Sequence, residues 1–343
     1  MEPGHAGGGE RCDDRCDLCA AACGEAMDTA AGCRRRQRLI YNRQEEARNM
    51  TQTIAFIGLG NMGGGMAANL LKNGYAVRAF DLSEEALAKA EGHGAVRASS
   101  AADAVTGADA VVTMLPAGKH VESVYNDQVF GVAKPGALFL DCSTIDVATA
   151  RRVIEAAVAK GFEMVDAPVS GGIAAANGGT LTFMVGGADA AFAKAKPILS
   201  AMGKAVIHAG GAGNGQGAKI CNNMLLGATM VATCESFAMA KKLGLDPQTF
   251  YDISSVSSGQ SWSMTSYCPV PGVGPQTPAD NGYQGGFAVG LMLKDLKLAT
   301  EAAASVGASV PMGNAAEALY QMLANQGEAA RDFSLMIEML EGK

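Results

Sequence analysis

Residues 53–63, TIAFIGLGNMG, constrain the fold more than any other part of the chain. A short continuous apolar run suits a strand buried on both faces, as in a parallel sheet. It runs straight into Gly58-Leu59-Gly60-Asn61-Met62-Gly63, and helix-forming GGMAANLLKNG follows. Between a strand and a helix, G-x-G-x-x-G carries a mechanism. Gly58 permits the tight turn, Gly60 lets the backbone approach a pyrophosphate, and Gly63 lets helix and strand pack closely. The start of the helix then offers N–H groups and a partial positive charge to the phosphates. The next apolar run, AVRAFD, ends in Asp81, about 20 residues on, where a carboxylate binds the ribose hydroxyls of NAD and repels the 2′-phosphate of NADP. Arg78 precedes it, and no basic residue follows closely to neutralise such a phosphate. NAD is the expected cofactor.

Further apolar runs, ADAVVTMLP, GALFLDCST and GFEMVDAPV, alternate with helical SEEALAKAEGHG and DVATARRVIEAAVAKG. This alternation predicts an α/β, Rossmann-type doubly wound domain, in which ligands bind outside the carboxyl ends of the strands. Leu115, Pro116, Thr144 and Ser170 all fall at such ends. VIHAGGAGNGQG reads as a Gly-rich linker, and residues 218–245 as a long apolar helix joining an all-helical domain. Within that domain FAMAKKLGLDPQTFYDISS reads as a helix, a Gly stop and a new helix opening at Asp246-Pro247. PQTPAD holds too many prolines for a helix and reads as an ordered loop or flap. The expected organisation is a nucleotide-binding domain over 50–212 and an all-helical substrate and oligomerisation domain over 213–343.

Residues 1–49 have a different texture. They hold five of the nine cysteines, no lysine, nine acidic residues and no hydrophobic period. The spacing Cys12-x3-Cys16-x2-Cys19 suits thiolate ligation of an iron–sulfur cluster on its own, but the surrounding composition predicts a disordered extension, with Met50 as the functional start. The acidic residues disfavour a mitochondrial leader and no apolar core suits a signal peptide, so a cytoplasmic location is expected over the mitochondrial matrix. A net charge of −7 argues against nucleic acid as the main partner. No apolar stretch reaches the roughly 18 residues of a membrane span. No metal is expected in the site.

Two motifs outside the nucleotide unit bear chemistry. In DAPVSGG, residues 166–172, Pro168 interrupts an apolar run and Ser170-Gly171-Gly172 exposes one hydroxyl and bare backbone N–H groups. A plain loop is the alternative. Lys219 stands near the start of the long helix, with Asn223 at i+4 on the same face. The positive end of the helix dipole would lower its pKa, and burial beside a nicotinamide would lower it further. Such a lysine takes a proton from an alcohol at neutral pH. A solvated surface lysine is the alternative here.

GLGNMG, TMLP, DAPVSGG with its following GTL and MVGG, GQGAKICNN and LMLKDLKLA, in this order and spacing, identify residues 53 to about 340 as resembling the β-hydroxyacid dehydrogenase family. The first 49 residues match nothing in it. The resemblance implies that Lys219 is the general acid/base. Ser170, the backbone of Gly171 and Gly172, and Asn223 would hold the carboxylate of a small 3-hydroxy acid. Gly58 through Gly63, Asp81, Leu115, Pro116, Thr144 and Lys294 would line NAD. SSGQSW, PVPG and YQGGF look like the branch that oxidises 3-hydroxyisobutyrate to methylmalonate semialdehyde in valine breakdown. Sister reductases of tartronate, glyoxylate or succinic semialdehyde typically lack that stretch. A non-catalytic dinucleotide sensor is the remote alternative. Helical domains of this family usually form dimers or tetramers, so a homo-oligomer is expected.

Overall fold

The computed structural model describes residues 52–342. The expectations for residues 1–49, including the cysteine cluster, lie outside the described residues. Chain order is β1 (Thr53–Ile57), α1 (Gly63–Lys72), β2 (Ala76–Phe80), α2 (Glu84–Gly92), β3 (Val96–Arg97), α3 (Ala101–Val105), β4 (Ala110–Thr113), α4 (Gly118–Ser123) and β5 (Leu138–Asp141). Then come α5 (Val147–Ala159), β6 (Glu163–Asp166), β7 (Val169–Ser170), α6 (Gly172–Gly178), β8 (Leu181–Gly186), α7 (Asp189–Ser200) and β9 (Gly203–Gly210).

These nine strands form one sheet whose first part runs β3-β2-β1-β4-β5-β6, all parallel. Chain direction across the sheet reverses between β1 and β4, which opens a crevice at their carboxyl ends. Alternate residues explain the unbroken apolar strands. Ile54, Phe56, Val112 and Leu140 pack in the core on one face, while Ala55, Ile57, Val111 and Phe139 pack on the other. Helix starts follow local capping chemistry: Ser83 receives the Ala86 N–H and Asp146 the Thr149 N–H.

Pro168 divides what would be one strand into β6 and β7, which both pair antiparallel with β8. β9 pairs parallel with the other edge of β8. The segment read as a Gly-rich linker, residues 206–217, is therefore divided between the end of β9, a short turn and the first residues of the long helix. The long helix α8 starts earlier than expected, at Asn214, and runs to Lys242. Gly213, with φ 80°, occupies its N-cap.

The remaining helices are α9 (Pro247–Ser254), α10 (Trp262–Thr265), α11 (Val289–Ser305), α12 (Pro311–Leu323) and α13 (Met336–Glu341). Asp246 caps α9 through the Thr249 N–H, as the Asp-Pro start predicts. PQTPAD closes as a 3-10 turn, Pro278–Asn281, fixed by a reciprocal Thr277/Asp280 capping box. Met230, Cys234 and Phe237 of α8 meet Met292 and Leu296 of α11 and Tyr320 of α12 in a third core. Gly227 lets α8 and α11 approach closely, since an added Cβ would lie 3.1 Å from Leu296 and Met292 side chains. Because α8 packs on both the sheet and these helices, residues 52–343 form one compact unit. No helix among the described residues is long and apolar enough to cross a membrane.

Candidate active site

The turn after β1 has the shape that a dinucleotide requires. Gly58 adopts φ 95°, and a Cβ there would overlap the Met114 carbonyl oxygen at the end of β4. A Cβ on Gly63 would overlap the Gly58 carbonyl oxygen, so α1 reaches the turn only because position 63 is bare. Gly60 differs: nothing lies within 4 Å of its hypothetical Cβ. That open side leaves room for a pyrophosphate at the start of α1. The chain therefore fits NAD, with Leu59, Asn61 and Met62 completing the turn.

Asp81 follows β2 directly and is tied into this turn. Its Oδ2 accepts the Leu59 N–H at 2.6 Å and its Oδ1 accepts the Ser83 N–H at 2.8 Å. Each carboxylate oxygen retains lone-pair capacity for a ribose hydroxyl. Arg78 points its charge elsewhere, to the Asp103 carboxylate at 2.7 Å and the Asp103 carbonyl at 2.6 Å. Across the crevice, the Leu115 N–H donates to Ser143 Oγ at 2.8 Å, and Ser143 Oγ donates to the buried Asp141 at 2.6 Å. Thr113 Oγ1 donates to the same Asp141 oxygen at 2.7 Å. Burial pushes the Asp141 carboxyl up to about 6, against the pull of those hydroxyls. Pro116 is exposed at the rim and Thr144 is half-buried beside Ser143.

The Asp of DAPVSGG has a structural task that sequence reading missed. Asp166 Oδ1 accepts the Gly213 N–H and Oδ2 the Gln216 N–H, both at 2.8 Å. A carboxylate at the end of β6 thus satisfies the free donors and the positive pole at the start of α8. Gly186 and Gly215 leave no room for side chains where β8 meets this helix end. Ser170 closes β7 beside Thr182 of β8, and its hydroxyl has no hydrogen-bond partner among the described residues. Gly171 and Gly172 follow at φ 134° and 69°, conformations that favour glycine. Asn69 of α1 reaches the far end of α6, donating to the Ala176 carbonyl at 2.8 Å and the Asn177 carbonyl at 3.3 Å. That amide joins α1 to the helix that follows the SGG turn.

Lys219 lies in the second turn of α8 and is 7% exposed, which removes the solvated-surface alternative. Its amine has no hydrogen-bond or salt-bridge partner among the described residues. Burial is the main force that pulls its pKa below the ordinary lysine value; the Asp295 carboxylate opposes this and the Lys294 ammonium reinforces it. The helix dipole, expected to act first, is a lesser influence because its effect fades within the first turn. Asn223 is buried, and its Nδ2 donates to Asp295 Oδ2 at 2.6 Å, so one of its two amide hydrogens is already committed. Lys294 Nζ donates to the Thr144 carbonyl at 3.1 Å and lies 3.5 Å from Asp295 Oδ1. Thr144, Lys294, Asp295 and Asn223 are thereby linked across three elements. Asp295 was passed over in the KDL motif because only its neighbour carries an obvious ligand charge.

Oxidation of an alcohol needs a hydride acceptor and a group that moves one proton; the glycine turn and the buried Lys219 are the candidates for holding the first and being the second. The class is a nicotinamide-dependent dehydrogenase. Residues 53–211 match the NAD binding domain of 6-phosphogluconate dehydrogenase, and 213–340 match the NAD-binding domain of NADP-dependent 3-hydroxyisobutyrate dehydrogenase. A 3-hydroxyisobutyrate dehydrogenase of Pseudomonas aeruginosa is 50% identical over 295 residues, 84% of this chain and 99% of that one. An NAD-dependent L-serine dehydrogenase of the same organism is 49% identical over 290 residues, 84% of this chain and 97% of that one. A solved Mycobacterium tuberculosis 3-hydroxyisobutyrate dehydrogenase with L-serine superposes with a TM-score of 0.82 at 45% identity, covering 85% of this chain and 99% of that one. The chain belongs to the 3-hydroxyisobutyrate dehydrogenase family of NAD-dependent hydroxyacid dehydrogenases.

Proposed function

We propose that the protein oxidises 3-hydroxyisobutyrate to methylmalonate semialdehyde, with NAD preferred over NADP. The buried, unpaired Lys219 amine carries this reading, because its lowered pKa suits removal of an alcohol proton. Bound NAD supplies the hydride acceptor for C3 of the substrate. The Ser170 hydroxyl, the Gly171 and Gly172 N–H groups and the remaining Asn223 amide hydrogen anchor the substrate carboxylate. Anchoring fixes C3 and its hydroxyl in front of Lys219, so orientation supplies part of the rate. Lys219 takes the hydroxyl proton as the carbonyl forms, and returns it in the reverse direction. The Asp295 carboxylate orients Asn223 and opposes the downward pull of burial on the lysine's pKa. Asp81 favours NAD through the ribose hydroxyls, and the engagement of Arg78 with Asp103 supports that preference.

L-serine is a second substrate reading, supported by the 49% identical relative named for it. It presents the same carboxylate and 3-hydroxyl. Initial rates with NAD and NADP on 3-hydroxyisobutyrate and L-serine, and with NADH and NADPH on tartronate semialdehyde, glyoxylate and succinic semialdehyde, separate the choices. The proposal expects the highest kcat/KM for 3-hydroxyisobutyrate with NAD. A higher kcat/KM for L-serine, or for one of these aldehydes with the reduced cofactor, would replace it.

A homo-oligomer is part of the same proposal. Leu225 and Met239 of α8 and Leu243 just past its end stand exposed, apolar positions that a second copy would cover. Light scattering coupled to size exclusion tests this: a monomer at micromolar concentration contradicts it.

A further inference from the structure

Gln216 is 0% exposed and commits both ends of its side chain to the loop between β5 and α5. Nε2 donates to the Ser143 carbonyl at 2.7 Å, and Oε1 accepts the Ile145 N–H at 3.1 Å. The amide therefore brackets Thr144 from both sides. Its own backbone N–H is held at the same time by Asp166. Lys219 follows three residues later, on the same face of α8. Through one side chain, the helix that bears the lysine is locked to the loop whose Thr144 carbonyl takes the Lys294 ammonium.

We infer that Gln216 is a positioning residue: it sets the Lys219 amine in register with the Thr144 rim of the cofactor crevice. The inference rests on the reading of Lys219 as the proton acceptor. NAD bound alone depends chiefly on the glycine turn and Asp81, and substrate carboxylate on the Ser170 turn and Asn223; none of these contacts includes Gln216. Hydride transfer differs, because it needs the lysine, the hydroxyl and the nicotinamide rim aligned together. A displacement of about 1 Å between such groups lowers a rate on the order of 10²-fold.

Gln216→Met keeps the volume and removes both hydrogen bonds; Gln216→Asn keeps the amide but falls one methylene short. Either variant that folds decides the matter. The measurements are single-turnover hydride transfer well below each variant's own Tm, and NAD affinity by calorimetry. We expect the transfer rate of Gln216→Met to fall on the order of 10²-fold, with Gln216→Asn no better than about 10-fold below wild type. NAD affinity should stay within about 3-fold, a change of less than about 1 kcal/mol. A transfer rate within about 3-fold of wild type in a folded variant overturns the inference, since that leaves less than about 1 kcal/mol for alignment. So does a loss of NAD affinity equal to the loss of rate, which would make Gln216 a binding residue. If Lys219→Arg keeps its rate while Gln216→Met loses it, the base assignment fails and the inference with it, leaving Gln216 only as a support of the Thr144 loop.

Discussion

Replacing Asp166 tests how the fold places the lysine. The carboxylate is 1% exposed and accepts two N–H groups from the start of α8, each at 2.8 Å. Neither donor has bulk water to turn to when the acceptor is removed. A buried donor left unsatisfied costs about 1–3 kcal/mol, so two donors set a loss of about 2–6 kcal/mol for Asp166→Ala. Part of this is recovered, because burial raises the Asp166 pKa and an absent charge needs no desolvation. The net expectation is about 2–4 kcal/mol lost in Asp166→Ala. Asp166→Asn keeps the shape and one acceptor oxygen but turns an N–H toward an N–H, and should cost about 1–2 kcal/mol. Urea unfolding followed by circular dichroism gives the order wild type, then Asn, then Ala. Activity should fall with it in the folded Ala variant, because Lys219 lies one turn beyond the released donors. An Ala variant within about 0.5 kcal/mol of wild type, or one more stable than the Asn variant, refutes the reasoning.

Gly60→Ala should leave Tm unchanged, because nothing lies within 4 Å of the new methyl, yet weaken NAD binding in calorimetry by about 10-fold or more. Gly63→Ala should instead lower Tm sharply, since its methyl overlaps the Gly58 carbonyl oxygen. Asp81→Ala should narrow the preference for NAD over NADP, measured as a ratio of kcat/KM values, and also loosen the turn that its Leu59 contact holds. Asp141, raised from 3.8 to about 6, binds its proton more tightly in the native protein than in the unfolded chain. Its contribution to stability is therefore greatest below 3.8 and declines as pH rises through that interval to about 6. Urea midpoints across the interval should fall less steeply with rising pH in Asp141→Asn than in wild type; parallel slopes would contradict this.

The local features of the site were legible in the sequence because their causes are local. Gly58, Gly60 and Gly63 act within one turn, Asp81 follows one strand later, and Lys219 with Asn223 is a spacing on one helix. The supports were not legible, because their partners lie far along the chain. Asp166 meets Gly213 and Gln216 across 47 and 50 residues, Gln216 meets Ile145 and Ser143 across 71 and 73, and Asn223 meets Asp295 across 72. No helical or strand period signals such pairs. The end of β9, residues 206–210, reads as linker because VIHAG shows no clean alternation and glycines follow, and it becomes strand through pairing with β8. The lowered pKa of Lys219 is expected from a helix start and from burial together: the first is visible in sequence as a position, whereas the burial that leads in the fold comes from packing.

Single-turnover hydride transfer in Lys219→Arg, with NAD and 3-hydroxyisobutyrate both saturating, tests the central claim most directly. Guanidinium keeps a positive charge at nearly the same place but does not give up its proton at any working pH. If Lys219 accepts the hydroxyl proton, the rate should fall about 10²–10⁴-fold, close to the loss in Lys219→Ala, while NAD affinity stays near normal. An arginine variant that keeps most of the wild-type transfer rate would show that the charge, not proton transfer, is what position 219 supplies.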